Sequence, residues 1–312
     1  MSWSATFLLK GAGGEPVNLW RTVMSHGVAD LPPNRIDEKA RTLETTVALP
    51  RGRPQTVLVE EGPSGKGRLT GRGGARSEPV FDAVGHMLRL DEDLSDFYAL
   101  AREDPDLAWV ASGAGRLMRS QTVFEDVVKT ICTTNCAWSG TVRMVGALVE
   151  HLGEAALGAP ADGPLGRAFP TPAAMAEASL DFYRDTVRAG YRGAYLRSLA
   201  ESVASGALDL EALGAASPDE LTDDEVAEEL LALPGVGPYA AAHVLMLLGR
   251  HSRLVLDSWT RPTYARLTGG RPKKDATIER RFRRYGPWAG LAFWLFITRG
   301  WVDESAGSAE NA

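Results

Sequence analysis

The chain has 312 residues, 44% hydrophobic and 24% charged, which is the balance of a soluble globular protein long enough for two packed domains. No apolar run reaches the roughly 20 residues that span a bilayer, and the net charge of -6 argues against a uniformly basic nucleic-acid binder. Cys132 and Cys136, four apart in a helical pattern, share a face, cannot cluster a metal alone, and suit a reducing cytoplasm.

From the N-terminus, MSWSATFLLKGAGG lacks a basic leader and its apolar patch is too short for a signal peptide, so a cytoplasmic protein is expected. TLETTVALP (42–50) and QTVLVEEG (55–62) mix β-branched with polar residues and read as strands. GPSGKGRLTGRGGARSEP (62–79) reads as a mobile loop. Residues 1–80 are therefore predicted to form a small antiparallel sheet domain. Helical periodicity runs from Phe81 to about Asp303, predicting a helical domain over 81–303, and 304–312 reads as a disordered tail. The class is α+β. Thr122 with Glu125 forms a capping box before an apolar-periodic stretch that Gly153 closes, and Thr222 with Glu225 repeats it. YRGAYLRSLAESVASG (191–206) is another amphipathic helix.

LPGVGPYAAAHVL (233–245) joins a helix ending near Leu233 to one beginning near Pro238. Two readings fit G-x-G here. One is a plain helix–helix turn. The other is an anion cradle, in which the amides of Gly235, Val236 and Gly237 face outward at the positive end of a helix dipole. Asp257 follows about twenty residues later, before the start of another helix, where an N-cap is the alternative role. Arg and Lys dominate 261–284, whereas acidic residues crowd 91–106 and 217–231. The basic stretch is either a solvated helix face or part of one surface with the glycine turn.

The segment LPGVGPYAAAHVLMLLGRHSRLVLDSW resembles the helix-hairpin-helix motif and aspartate of the HhH-GPD DNA glycosylases of base-excision repair. FEDVVKTICTTNCAWSGTVRMVGALVEHLG (124–153) is similar to the segment where that superfamily carries its DNA-wedging loop, and the likeness extends over most of residues 20–300. VMSHGVADLPPNRIDE (23–38) and residues 85–107 resemble the 3-methyladenine and 8-oxoguanine branch, and neither an iron–sulfur four-cysteine cluster nor a zinc spacing is present. The resemblance implies a small sheet domain packed on a two-subdomain helical core, with the active site in the cleft.

It also implies Asp257 as the catalytic carboxylate and double-stranded DNA with a damaged base as the partner. No cofactor would be required. A sodium or potassium ion could be held by the main-chain carbonyls of Leu231, Leu233 and Val236. Bifunctional members carry a lysine where this chain has Tyr239, so hydrolysis without lyase chemistry is expected. An aromatic ring in that slot suits a cationic methylated base, with packing as the alternative. Asn135 falls where the 8-oxoguanine branch places an asparagine facing the orphaned base, with local hydrogen bonding as the alternative. Trp138 and Trp259, beside Asn135 and Asp257, are candidate walls of the base pocket, and His243 is expected to be structural. The function expected is monofunctional excision of alkylated purines; the alternatives are an 8-oxoguanine-type enzyme, a glycosylase/lyase using another amine, or a non-catalytic lesion sensor.

Overall fold

The computed structural model describes residues 2–72 and 77–302. Five antiparallel strands, β1 (Ser2–Leu8), β2 (Arg35–Asp37), β3 (Thr42–Val47), β4 (Gln55–Glu61) and β5 (Lys66–Arg72), form one sheet in the order β1-β5-β4-β3-β2. The short α1 (Leu19–Val23) lies between β1 and β2 in the chain.

The loop expected over 62–79 is corrected by β5, which sits inside the sheet, paired with both β1 and β4. Its glycines are there for close packing, not for freedom. A Cβ on Gly67 would lie 2.2 Å from the Phe7 ring, and one on Gly71 would lie 2.3 Å from Trp3. Those aromatic residues are the register partners of the two glycines, so ring occupies the space that side chain vacates. Residues 73–76, part of that expected loop, and 304–312, the expected tail, fall outside the described residues.

Among the described residues twelve further α-helices follow: α2 (Glu78–Met87), α3 (Ser95–Arg102), α4 (Val123–Thr133), α5 (Trp138–Leu152), α6 (Pro172–Glu177), α7 (Arg192–Ala204), α8 (Leu210–Ala215), α9 (Asp223–Ala232), α10 (Pro238–Leu247), α11 (Thr260–Leu267), α12 (Asp275–Phe282) and α13 (Ala289–Thr298). None is long and apolar enough to cross a membrane. Their apolar faces divide between two cores. One gathers α4, α5, α7 and α9 through residues such as Ile131, Leu148, Leu196 and Leu230. The other gathers α3 and α11–α13 through Phe97, Tyr264, Phe282 and Phe293. The sheet, α1 and α2 enclose a third, which takes in Val84, Leu88 and Met118, beyond residue 80.

α10 belongs to both helical cores, giving Val244 and Leu245 to the first and Ala242 and Met246 to the second. Its sequence is apolar all round because it is buried all round. The chain entering it, the turn after α9, is therefore held between the two cores.

The two capping boxes differ. Thr222 and Glu225 exchange both bonds at the start of α9. Thr122 accepts from the Glu125 amide at 3.2 Å, but the Glu125 carboxylate turns inward to Lys129 at 2.7 Å. Glu211 replaces it, accepting from the Val123 and Phe124 amides at 3.0 and 3.2 Å. A buried lysine needs an anion more than the helix start needs a second cap.

Candidate active site

α4 and α5 are separate helices, not the single helix that places both cysteines on one face. Asn135 adopts a left-handed backbone (φ 47°) between them, a conformation that asparagine tolerates better than most residues. Cys132 is consequently buried in α4, and Cys136 is exposed in the connecting loop.

That loop forms one wall of a cavity of about 560 Å³. Thr133, Asn135 and Cys136 line one side, Gly235, Gly237 and Tyr239 another, and Asp257 with Ser258 a third. Residues more than 120 positions apart thus meet, and they include Asn135, Gly235, Gly237, Tyr239 and Asp257 from the expected set.

Asp257 is shaped by the helix it precedes. Its Oδ1 accepts from the amides of Trp259 and Thr260 at 2.8 and 2.6 Å, and its own amide donates to the Thr260 hydroxyl at 2.8 Å. No group among the described residues donates to Oδ2. The carboxylate is both a cap for α11 and a charge left facing the cavity, so the two readings of Asp257 coexist. Tyr239 stands beside it. Burial raises its phenol above the usual range, the hydrogen bond with Thr133 opposes this, and the Asp257 charge adds to the rise. Its ring lies nearly parallel to that of His243, one turn along α10, with centroids 6.0 Å apart. His243 is buried, and burial lowers its pKa to about 4.

At the turn, Gly235 takes φ +82°, and a Cβ there would meet Tyr195 at 2.9 Å. Gly237 has an ordinary φ of -102° and open space where its Cβ would be. The amides of these two glycines make no backbone hydrogen bond among the described residues. Val236 is a correction: its amide donates to the Leu233 carbonyl at 3.1 Å, and its side chain is buried in the first helical core. Closing the turn uses that amide, so only the flanking two can meet an anion.

Trp138 and Trp259, expected as pocket walls, do not line this cavity. Trp138 is 48% exposed at the start of α5, its ring beside Gly27. Trp259 is 41% exposed and packs with Trp294 and Trp301, centroids 6.0 and 5.3 Å away. Ser258, next to Trp259, lines the cavity, and so does Cys136, two residues before Trp138. Tyr191, which the sequence offered only as the edge of an amphipathic helix, does line the cavity. Its hydroxyl accepts from Asn135 Nδ2 at 3.2 Å, a bond that holds the phenol below its usual pKa. Arg192, next in the chain, donates to the Thr134 carbonyl and so fastens the loop from beneath.

Solved structures of the same shape exist at low sequence identity. A 3-methyladenine DNA-glycosylase from Archaeoglobus fulgidus superposes with a TM-score of 0.70 at 21% identity, over 96% of this chain and 99% of that one. MBOgg1, solved with a low-affinity DNA ligand, gives 0.70 at 20% over 94% of each chain. An 8-oxoguanine glycosylase/lyase from Clostridium acetobutylicum gives 0.65 at 20%, over 88% of this chain and 93% of that one. The chain has the fold of these DNA glycosylases. The resemblance read from residues 233–259 is borne out at that level. No family model and no curated protein sequence matches the chain.

Within that fold the turn was expected to hold a monovalent cation. The carbonyls of Leu231 and Val236 receive no backbone amide among the described residues, and that of Leu233 receives only Val236. Oxygen has two lone pairs, so all three retain capacity for a hard cation. The residues present fit such an ion. When bound it would supply positive charge next to the glycine amides.

Proposed function

We propose that the chain is a monofunctional DNA glycosylase that extrudes a damaged purine from double-stranded DNA and hydrolyses its N-glycosidic bond. The observation that carries this reading is the convergence of a free carboxylate oxygen, an aromatic ring and two unpaired turn amides on one cavity, in a fold shared with DNA glycosylases. The two helical cores flanking α10 correspond in this reading to the two subdomains of an HhH-GPD core, and α9, the turn and α10 to its helix-hairpin-helix.

Breaking the bond to the base leaves positive charge on the sugar. Asp257 would stabilise that charge and orient the attacking water. Gly235 and Gly237 would hold a phosphate of the lesion strand at the positive end of the α10 dipole, which helps offset the few kcal/mol needed to unstack a base. Tyr239 offers no amine, so the sugar is released to water and no imine forms. Its ring favours a cationic base such as 3-methyladenine or 7-methylguanine.

A second reading, excision of 8-oxoguanine, draws on Asn135, which lines the cavity and whose side-chain amide could meet the orphaned partner base. A pure lesion sensor is disfavoured by Asp257: an unpaired carboxylate beside a phosphate-binding turn repels DNA unless chemistry uses it. The deciding experiment incubates the protein with duplexes carrying 3-methyladenine, 7-methylguanine or 8-oxoguanine, then treats them with or without alkali. Hydrolysis yields strands that break only with alkali, and borohydride traps no protein–DNA adduct. Strand breaks without alkali would replace this reading with a lyase, and no base release from any duplex would leave a sensor.

A further inference from the structure

The basic segment that the sequence singles out is not used by the Asp257 cavity, and folding sorts its charges. Arg281 and Arg299 pair with Asp106 at 2.9 and 3.4 Å, Arg284 pairs with Asp104, and Arg261 grips Asp275 through two bonds of 2.8 Å. The acidic segment 91–106 thus neutralises the inner cations. Arg266, Arg271, Lys273, Lys274, Arg280 and Arg283 remain exposed. Among the described residues none of the six makes an ion pair or side-chain hydrogen bond, and Glu279 is the one unpaired carboxylate on the same elements.

These cations stand near the proposed reaction centre. A second cavity, of about 640 Å³, shares Pro238 and Tyr239 with the first and is bounded by Arg261, Asp275 and Arg283. Arg261 is one helical turn from Asp257, whose carbonyl accepts its amide at 3.3 Å. Its side chain is clamped to Asp275, which Lys273 and Lys274 directly precede. Adding those steps places the loop within about 25 Å of Asp257. Duplex DNA carries a phosphate every 3.4 Å of axis on each strand, so about seven base pairs cover that reach.

We propose that residues 269–274 and the exposed side of α12 form a second DNA contact, which holds the phosphate backbone of the duplex arm on one side of the lesion. It rests on the glycosylase reading only in taking duplex DNA as the ligand. Phosphate contacts of this kind position the protein without reading sequence.

The test measures affinity by fluorescence anisotropy for lesion-bearing and undamaged duplexes at several salt concentrations, comparing the wild type with Lys273→Gln/Lys274→Gln and with Arg280→Gln. Losing two phosphate contacts lowers the slope of log affinity against log salt by about 1.8. Between 50 and 200 mM salt the wild type then loses about twelvefold more affinity than the double variant. Both duplexes respond alike. Trimming one arm to three base pairs abolishes the difference between wild type and variant; trimming the other leaves it. The same slope for wild type and both variants overturns the proposal, as does a difference indifferent to which arm is trimmed. If no duplex releases a base but the salt effect persists, the glycosylase reading fails and this surface stands.

Discussion

Asp257 gives one oxygen to the amides that start α11 and leaves the other to the cavity. Asp257→Asn keeps the accepting oxygen, so the helix start survives, but it removes the charge. Base release is expected to fall by at least about 10²-fold while lesion-DNA affinity stays level or tightens. Near wild-type release measured in single turnover would remove Asp257 from the mechanism. For Tyr239 the proposed role rests on the ring. Tyr239→Ala is expected to slow release of 3-methyladenine or 7-methylguanine about five- to thirtyfold, the equivalent of about 1–2 kcal/mol of stacking on a cation. Release of neutral 8-oxoguanine should change less, and equal losses on both lesions would make Tyr239 a packing residue.

The turn between α9 and α10 shows how two glycines of one motif differ. Gly235 is left-handed and pressed by Tyr195, whereas Gly237 has ordinary dihedrals and open space. Gly235→Ala should therefore cost about 1–2 kcal/mol of stability, seen as an unfolding midpoint a few degrees lower. Gly237→Val should leave the midpoint near wild type but weaken binding to lesion and undamaged duplexes alike, because its side chain would enter the cavity where a phosphate is proposed to sit. The reverse pattern, strain at Gly237 and lost binding only at Gly235, would contradict this geometry. The position of the hairpin was legible from Thr222, Glu225 and Pro238, which mark its ends by local rules. The break at Asn135 was legible only through the resemblance to a wedging loop, not in the local spacing. ICTTNCAW carries apolar spacing that continues a helix, and the left-handed residue is stabilised by Tyr191 and Arg192, some 56 positions away.

Across the whole molecule, buried titratable groups outside the cavity govern the response to acid. Burial lowers His26 to about 3, with His243 adding to the shift, and lowers His86, His243 and His251 to about 4, 4 and 3. Their unfolded forms take up protons near pH 6.5, so acid favours the unfolded chain from there down to their folded values. Asp126 acts oppositely. Burial raises it to about 7, so between its unfolded value and 7 the folded chain binds the extra proton, and that contribution is lost as pH rises. Four groups outweigh one between pH 6.5 and 4. The unfolding midpoint is expected to drop by on the order of 5–10 °C across that range. His243→Gln should flatten the decline; a midpoint that is constant or rises toward pH 4 would show the histidines are accessible to protons when folded.

What the sequence determined by itself was the part written in local chemistry. Capping residues, helical spacing, and the order of glycine turn, helix and aspartate marked α9, α10 and Asp257, and their resemblance to the HhH-GPD motif pointed to a glycosylase-like core. What only the tertiary structure decided was direction and partnership. β5 looked like a loop because the rings of Trp3 and Phe7 that fill its glycine gaps lie 60 or more residues earlier. Trp138 and Trp259 lie within three residues of Asn135 and Asp257 yet pack elsewhere, Trp138 beside Gly27 and Trp259 against Trp294 and Trp301, contacts set by distant parts of the chain. Tyr191 carried no local mark at all. Its place depends on where α7 docks against the Asn135 loop, and that docking is set by apolar burial summed over the whole first helical core. Charge followed the same division: the basic run was plain in the sequence, but which of its cations stay free was settled by Asp104 and Asp106 across the fold.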